Sequence, residues 1–211
     1  MNGYSQNENL DWPNLKKYAA ENKALPPVGD NNNRVVFMGN SITEGWKLND
    51  SSFFSTDYID RGISGQTTPQ MLLRFRQDVI DLHPYAVVIL AGINDIAENT
   101  GPITLEAVVG NIISMAELAK ANNIRVILCS VLPANTFPWR PQIYPADKVI
   151  ALNTMIKAYA DANNITYVDY YTPMVDSEKG LDKKYTDDGV HPTLAGYKVM
   201  EPLVVAAINK R

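Results

Sequence analysis

The sequence predicts an α/β protein built around a five-stranded parallel sheet. Short apolar segments rich in β-branched residues alternate with longer segments in which apolar residues recur every three or four positions. This alternation is typical of strands joined by crossover helices. The segment 86–91 is apolar throughout, as expected of a parallel strand that is covered on both faces.

The elements can be placed in order along the chain. We predict strands at 34–38, 58–60, 86–91, 125–131 and 165–169. The second is short and weakly apolar, so we expect it at an edge of the sheet. We predict helices at 69–82, 105–121, 146–162 and 194–209, where the apolar spacing fits one helical face.

The chain divides into a polar N-terminal appendage, 1–33, and one domain, 34–211. The appendage contains three consecutive asparagines at 31–33, and we expect a short helix around 14–21. Its start, 1–10, lacks the basic and apolar regions of a signal peptide. This is typical of a cytoplasmic protein, or of a periplasmic or secreted protein whose leader has been removed.

Composition excludes several classes of function. The 211 residues include 19 Lys and Arg against 23 Asp and Glu, without a basic cluster, so we expect no nucleic-acid partner. No apolar run reaches the roughly 18 residues of a membrane span, so we expect no integral membrane contact. One Cys excludes a disulfide scaffold. A metallophosphoesterase is the other enzyme alternative, but the two His are too few for the imidazole ligands that such a metal site normally uses. We predict no metal and no cofactor.

Polar residues follow the first and third strands, at the sheet edge where open α/β folds bind ligands. Ser41 comes after Gly39 and Asn40, where a helix start can present its hydroxyl, although it could equally cap that helix. Asn94 follows Gly92 after the third strand. Its amide can donate to an oxyanion, and an Asx-turn is the alternative.

The last helix is preceded by an acid and a histidine. Asp188 stands three residues before His191, close enough to hold the imidazole in one tautomer and leave the other ring nitrogen free as a base. Pro192 then suits the first turn of a helix. The second histidine, His83, has no such surroundings, and we predict that it is replaceable.

Together with the loop 61–69, these segments resemble the four sequence blocks of the SGNH hydrolases, also called the GDSL-like lipase/acylhydrolase family. The match runs in the family's order from Val35 to Thr193. The resemblance implies a three-layer α/β/α sandwich of flavodoxin-like type and a serine esterase. It also implies that 34–211 is the catalytic domain.

Carried over by position, the resemblance implies Ser41 as nucleophile, His191 as base and Asp188 as its partner. The oxyanion hole would be formed by the main chain of Ser41 and Gly65 and by the side chain of Asn94. One position departs from the family's Gly-Asp-Ser: residue 40 is Asn, which keeps the size of Asp and loses its charge.

Gly62 competes with Gly65 for the main-chain oxyanion role. We prefer Gly65 because it stands second in the Gly-x-x-Gly spacing of this loop.

Two tryptophans are candidate substrate contacts. Trp139 lies in 133–145, an aromatic, proline-rich loop after the fourth strand, and Trp46 lies close to Ser41 in the sequence. Each can pack on a sugar or an acyl chain, or else within the protein.

The family includes carbohydrate O-acetylesterases, lysophospholipases and thioesterases. We predict hydrolysis of a small acyl ester, chiefly acetyl, on a small molecule or a glycan. A lysophospholipase or thioesterase is the alternative. A non-catalytic glycan- or lipid-binding module on the same fold is a hypothesis from another class. Its mark would be the loss of Ser41, Asn94 or His191, and all three are present.

Overall fold

The computed structural model describes residues 11–29, 32–54 and 57–210, and these contain the predicted five-stranded sheet. The strands pair in the order β2-β1-β3-β4-β5, and every pairing is parallel. The second strand is at an edge, as predicted. The strands are β1 Val35–Gly39, β2 Tyr58–Gly62, β3 Ala86–Ile89, β4 Arg125–Cys129 and β5 Thr166–Val168.

Eight α-helices accompany the sheet within these described ranges, and three of the four predicted helices have the predicted bounds. The fourth, predicted at 69–82, is α3 followed by a short 3-10 helix, Ile80–Leu82. The helices are α1 Ala19–Ala24, α2 Ser41–Asn49, α3 Thr68–Asp78, α4 Ile93–Ile96, α5 Leu105–Ala121, α6 Ala146–Ala162, α7 Tyr171–Met174 and α8 Leu194–Asn209.

The helices cover both faces of the sheet, which confirms the three-layer α/β/α sandwich. Helix α2 packs on β1, β2 and α8, whereas α3, α5 and α6 pack side by side. The chain passes from β1 outward to β2 and then returns past β1 to β3, so the strand order reverses there. In open α/β sheets this reversal places the ligand crevice beyond the carboxyl ends of β1 and β3.

Trp46 belongs to the core, and the expectation that it contacts substrate was wrong. Its side chain is 1 % exposed. Phe53 stacks on it with ring centroids 5.0 Å apart, and Tyr197 stacks on it at 5.4 Å. An indole packed in this way stabilises the contact between α2 and α8 and offers no surface to a ligand.

The N-terminal segment 11–29 packs against the domain, but its helix lies further along the chain than predicted. The helix begins at Ala19 rather than near 14 because Asn14 has a φ of 57°, a left-handed conformation that interrupts a right-handed helix. The Tyr18 side chain is 6 % exposed. Residues 1–10, 30 and 31 of the predicted appendage, including the start considered for a signal peptide, lie outside the described residues.

Within the described ranges, no helix is long and apolar enough to cross a membrane. The same residues contain no group of three or more His, Cys, Asp or Glu side chains arranged to hold a metal ion.

Candidate active site

Ser41 is the first residue of α2 and lies at the carboxyl end of β1. The preceding residue, Asn40, caps this helix, because its side-chain oxygen accepts a hydrogen bond of 3.1 Å from the Ile42 N–H. The Ser41 N–H belongs to the first helical turn, where backbone donors have no acceptor within the helix. Ser41 therefore presents a hydroxyl and a main-chain donor at one point of the sheet edge.

Ser41, His191 and Asp188 form a continuous chain of hydrogen bonds. The Ser41 Oγ lies 2.9 Å from His191 Nε2, and His191 Nδ1 lies 2.6 Å from Asp188 Oδ2. A carboxylate beside Nδ1 selects the tautomer that carries its proton there, which leaves the Nε2 lone pair facing the hydroxyl. This is the geometry in which an imidazole can take the proton of a serine.

The Asp188 carboxylate is held by its own loop. Its Oδ1 accepts the N–H groups of Val190 and His191, both at 2.8 Å, and Gly189, directly after Asp188, has a φ of 82°. Partial burial alone would raise the pKa of Asp188, but the hydrogen bonds from the His191 ring, His191 N–H and Val190 N–H outweigh it. The pKa of Asp188 therefore lies below its usual range, and the carboxyl stays charged beside the imidazole.

The loop after β2 brings Gly65 to the same edge in a conformation that favours glycine. Gly65 is exposed and has a φ of 77°. Its carbonyl accepts a hydrogen bond of 3.2 Å from the Asn99 side chain, and none of the described residues accepts from its N–H. Gly65 thus has a main-chain donor available to a ligand.

Gly62, the competing glycine, has its polar groups occupied within the protein. Its N–H donates to Asp60 Oδ1 at 2.7 Å, and its carbonyl accepts from the Tyr18 hydroxyl. A Cβ at this position would lie 2.1 Å from the backbone nitrogen of Glu44, so a glycine is needed for α2 to approach β2. These contacts favour Gly65 as the oxyanion donor.

Asn94 lies in α4, immediately after β3, and its side chain is directed to the Gly65 loop. Its Nδ2 donates to the Gln66 carbonyl at 3.0 Å, so the side chain joins two segments rather than forming a local Asx-turn. The amide has a second N–H that this bond does not use. Asn94 is 4 % exposed, which limits its motion.

Asp95 fixes this turn to the start of α3. Both its carboxylate oxygens accept the Thr68 N–H at 3.0 Å, and Oδ1 also accepts the Thr68 hydroxyl. Burial raises the pKa of Asp95 to about 6, although the Thr68 hydrogen bonds oppose the shift. The acid next to Asn94 therefore has a structural partner and does not touch the Ser41–His191 pair.

A model of the GDSL-like Lipase/Acylhydrolase family matches residues 37–199. The chain belongs to this family. The predicted recognition and the prediction of an esterase-type hydrolase are thereby confirmed. A curated relative, the uncharacterized lipoprotein YqeF of Bacillus subtilis (strain 168), is 32 % identical over 80 residues, 36 % of this chain. The match spans 33 % of that protein's length.

Solved structures of the family share the whole architecture. BF3764 from Bacteroides fragilis NCTC 9343 is 56 % identical, covers 94 % of this chain and 97 % of its own, and has a TM-score of 0.92. A GDSL-like lipase, BT0569 from Bacteroides thetaiotaomicron VPI-5482, is 57 % identical with coverages of 94 % and 98 % and the same TM-score. Axe2, an acetylxylan esterase from Geobacillus stearothermophilus, is 17 % identical over 88 % of this chain and 98 % of its own, at a TM-score of 0.65, and shares the fold.

The departure from the family's Gly-Asp-Ser changes a charge but keeps a contact. Asn40 is 1 % exposed, and its oxygen makes the helix cap described above. A neutral amide accepts this bond without placing a buried negative charge next to Ser41. The effect of Asn40 therefore concerns the electrostatics of the serine rather than its position.

Arg74 holds together the segments around Gly65, and sequence analysis missed it. Its guanidinium donates to the Gly39 and Arg61 carbonyls, both at 2.9 Å, and to the Gln66 side chain. It also pairs with Asp78 at 3.0 Å, and both side chains are almost fully buried. The ends of β1 and β2 and the loop next to Gly65 are thus held by one side chain.

Glu44, also missed, joins α2 to the same loop. Its carboxylate accepts the Ser64 N–H at 2.8 Å and the Ser64 hydroxyl, and it pairs with Lys17. Burial by itself would raise the pKa of Glu44, but the Lys17 and Ser64 hydrogen bonds lower it below the usual range. The helix that carries Ser41 and the loop that carries Gly65 are therefore connected directly.

A sequence signal for Arg74 exists. Arg74 and Asp78 stand four apart with opposite charges and share the buried face of α3 with Met71 and Phe75. Charges that interrupt an apolar stripe indicate a buried polar function, because an unpaired charge there would be costly.

Trp139, a candidate substrate contact, lies beside His191 and also packs within its own loop. The ring centroids are 6.1 Å apart, and Trp139 stacks on Phe137, which is fully buried. The Trp139 side chain remains 43 % exposed.

His83, the second histidine, is exposed and lies before the amino end of β3, whereas Ser41 lies at the carboxyl end of β1.

Proposed function

We propose that this GDSL-like acylhydrolase cleaves short-chain esters, above all acetyl esters of carbohydrates, through an acyl-enzyme on Ser41. The observation that carries the proposal is the hydrogen-bond chain from Ser41 through His191 to Asp188. Serine alone is a weak nucleophile, and a neutral imidazole in contact with its hydroxyl is the usual way to activate it.

The first half of the reaction acylates the serine. As Ser41 Oγ bonds to the ester carbonyl carbon, its proton moves to His191 Nε2, and the carbonyl oxygen becomes an oxyanion. The C–O bond to the alcohol then breaks, and His191 returns the proton to the leaving oxygen. Asp188 stabilises the imidazolium without taking the proton itself.

The second half releases the acid. Water gives a proton to His191 Nε2 and attacks the acyl carbonyl, and the ester bond to Ser41 breaks with proton return to Oγ. In both halves the oxyanion accepts from the N–H groups of Ser41 and Gly65 and from the Asn94 amide. A preorganised donor of this kind is worth about 3–4 kcal/mol of barrier lowering.

The preference for a short acyl group rests on the polarity around Gly65. The cavity that Gly65 lines has one aromatic wall, Trp12, and is otherwise mainly polar, with Ser64, Gln66, Gln70 and Asn99 among its lining residues. A long acyl chain gains about 0.8 kcal/mol for each buried CH₂ and needs apolar walls to do so. Amide and hydroxyl walls suit an acetyl ester on a polar alcohol better than a lysophospholipid.

The test compares nitrophenyl acetate, butyrate and octanoate with the wild-type protein and with Ser41→Ala. We expect acetate to be the best substrate and Ser41→Ala to lose nearly all turnover. Ser177→Ala, an exposed serine, is the matched control and should behave as wild type. A fluorophosphonate probe should label the wild type and Ser177→Ala but not Ser41→Ala.

Two results would contradict the proposal in different ways. Wild-type turnover by Ser41→Ala would remove the acyl-serine mechanism. A clear preference for octanoate would leave the mechanism in place and favour the lysophospholipase alternative.

A further inference from the structure

A cavity of about 510 Å³ lies beside Gly65, and one of its walls is the N-terminal segment 11–16. The opposite wall is the loop 63–66 with Gln70, Asn99 and Thr100. This volume falls within the roughly 300–1,000 Å³ of small-molecule pockets. Because Gly65 borders the cavity, a molecule in it would lie next to the proposed oxyanion hole.

Three glutamines hold the N-terminal wall in place. The side-chain amides of Gln66, Gln70 and Gln77 donate to the backbone carbonyls of residues 13, 12 and 15, respectively. The Asp11 carboxylate accepts the N–H groups of residues 15 and 16, which closes the turn. Three side-chain hydrogen bonds therefore fix the backbone of 11–16 against α3 and its preceding loop, and two more close the segment on itself.

Three side chains of the segment 11–16 point to the cavity without a hydrogen-bond partner among the described residues and are therefore available to a ligand. Trp12, Asn14 and Lys16 line the cavity, and none of their side chains makes a hydrogen bond or ion pair with any residue that the structure describes. Trp12 is 42 % exposed. The amides of Gln66 and Gln70 on the other wall are already occupied by the segment itself.

We propose that this cavity is the sugar subsite of the enzyme, with residues 11–16 as its specificity-determining wall. This inference rests on the proposed esterase function. An exposed indole offers a flat apolar face for the C–H side of a sugar ring, and an amide and an ammonium can hydrogen-bond hydroxyl groups at its edge. A pocket that combines one aromatic face with a few polar groups fits a sugar better than an acyl chain.

The placement of the cavity explains how the subsite serves the reaction. A sugar held against 11–16 would place its acetyl group beside Gly65, the proposed main-chain oxyanion donor, because Gly65 lines the same cavity. Binding energy gained on the sugar would then orient the ester without changing the reacting groups.

The experiment measures kcat and KM for partially acetylated xylotriose, cellotriose and chitotriose and for nitrophenyl acetate. We expect Trp12→Ala to lower kcat/KM for the preferred sugar ester about five- to tenfold, mainly through KM. Turnover of nitrophenyl acetate should not change, since it has no sugar. Leu15→Ala is the matched control: Leu15 is 38 % exposed on the same segment but does not line the cavity.

A direct titration separates the subsite from catalysis. The Ser41→Ala protein, with and without Trp12→Ala, is titrated with the unacetylated trisaccharides by calorimetry. We expect binding that Trp12→Ala weakens and Leu15→Ala does not.

Each failure has its own meaning. Two results would overturn the subsite and leave the esterase in place. One is an equal loss of kcat/KM on sugar and nitrophenyl esters in Trp12→Ala, and the other is trisaccharide binding that Trp12→Ala does not weaken. A Trp12→Ala variant that loses octanoate turnover selectively would show an acyl pocket and overturn the sugar assignment. A wild-type protein that hydrolyses none of these esters would instead contradict the proposed function.

Discussion

The two sides of the candidate site are built in opposite ways. The proposed base side, Asp188 and His191, is an exposed loop in which the acid that orients the imidazole is only three residues away, and the two side chains are 41 % and 37 % exposed. The proposed oxyanion side, Gly65 and Asn94, is supported by buried residues from four elements, with Arg74 at their centre.

This difference shows what each group must do. A base moves a proton and needs contact with solvent and substrate, whereas an oxyanion hole works because its dipoles are fixed before the reaction. A local hydrogen bond is enough to orient an imidazole. Holding two main-chain donors and an amide at one point requires long-range contacts that resist motion.

The largest expected effect is on the base side. His191→Ala should lower kcat by about four to six orders of magnitude, because Ser41 loses its proton acceptor. His83→Asn is the matched control, since Asn tolerates the φ of 48° that His83 adopts. It should keep wild-type rates in a steady-state assay with nitrophenyl acetate.

The pH profile checks the same assignment. His191→Ala should lose turnover at every pH at which the wild type is active, whereas His83→Asn should follow the wild-type profile throughout. Wild-type rates in His191→Ala, or a large loss in His83→Asn, would contradict the role given to His191.

The next effect is on the oxyanion side. Asn94→Ala should lower kcat about 10²- to 10³-fold with little change in KM, because the amide acts on charge that develops in the transition state. Asn122→Ala is a useful control: Asn122 is exposed at the end of α5, and its side chain donates to the Leu118 carbonyl of the same helix. A loss expressed only in KM would instead assign Asn94 to ground-state binding.

Arg74→Met tests whether the buried support controls the exposed chemistry. It leaves the Asp78 carboxylate without its ion-pair partner and removes the guanidinium donor from the Gly39 and Arg61 carbonyls. The free energy of unfolding, measured by urea denaturation, should therefore fall by about 3 kcal/mol. In the protein that remains folded, kcat should fall about tenfold or more because the Gly65 loop is less well fixed.

Arg76→Met is the control on the same helix. Arg76 is exposed and only weakly paired with Asp81, so this variant should lose neither stability nor activity. If Arg74→Met is destabilised but keeps the wild-type kcat, then Arg74 supports the fold without positioning the oxyanion donors.

The smallest effect concerns stability and pH. Burial raises the pKa of Asp60 to about 7, despite the Gly62 N–H bond. The pKa of Asp60 is higher in the folded state than in the unfolded state. Its contribution to the free energy of unfolding is therefore complete below pH 4 and is lost as pH rises through about 7. Between pH 5 and 8, the free energy of unfolding of Asp60→Asn should rise by about 2 kcal/mol relative to that of the wild type.

Thermal melts of both proteins across this pH range measure that difference. The dependence of activity on pH should be the same in the two proteins, because the Asp60 side chain bonds Gly62 and Tyr18 and none of the proposed site residues. A stability difference that does not depend on pH would show that Asp60 is ionised throughout the range.

The residues proposed to carry the chemistry could be nominated from the sequence, whereas the partners of the residues that position them could not. Ser41, Asn94, Asp188 and His191 stand directly after strands or before a helix, and the structure joins Ser41, His191 and Asp188 by hydrogen bonds. The four-residue spacing of Arg74 and Asp78 marks a buried polar pair, but no local spacing encodes the distant residues that Arg74 and Glu44 contact. Trp46 shows the converse: proximity to Ser41 in sequence said nothing about which way its ring faces.

The same reasoning explains which elements were predicted well. Helices α5, α6 and α8 have continuous apolar stripes, and their bounds were predicted correctly. The N-terminal helix was misplaced because the turn at 11–16 is fixed by glutamines far along the chain. A local apolar pattern predicts the bounds of a helix that packs by one face. The conformation of a segment that is held by hydrogen bonds to distant residues depends on those residues, so the local pattern does not predict it.

The separation of Ser41 and His191 along the chain has a consequence for synthesis. The two residues are 150 positions apart, and their contact forms beside the packing of α8 on α2. Since domains form as the chain emerges from the ribosome, Ser41 is made long before His191. With His191 as the proposed base, a nascent chain that has not reached residue 191 has no acceptor for the Ser41 proton, and we expect esterase activity only after the C-terminal part of the domain has folded.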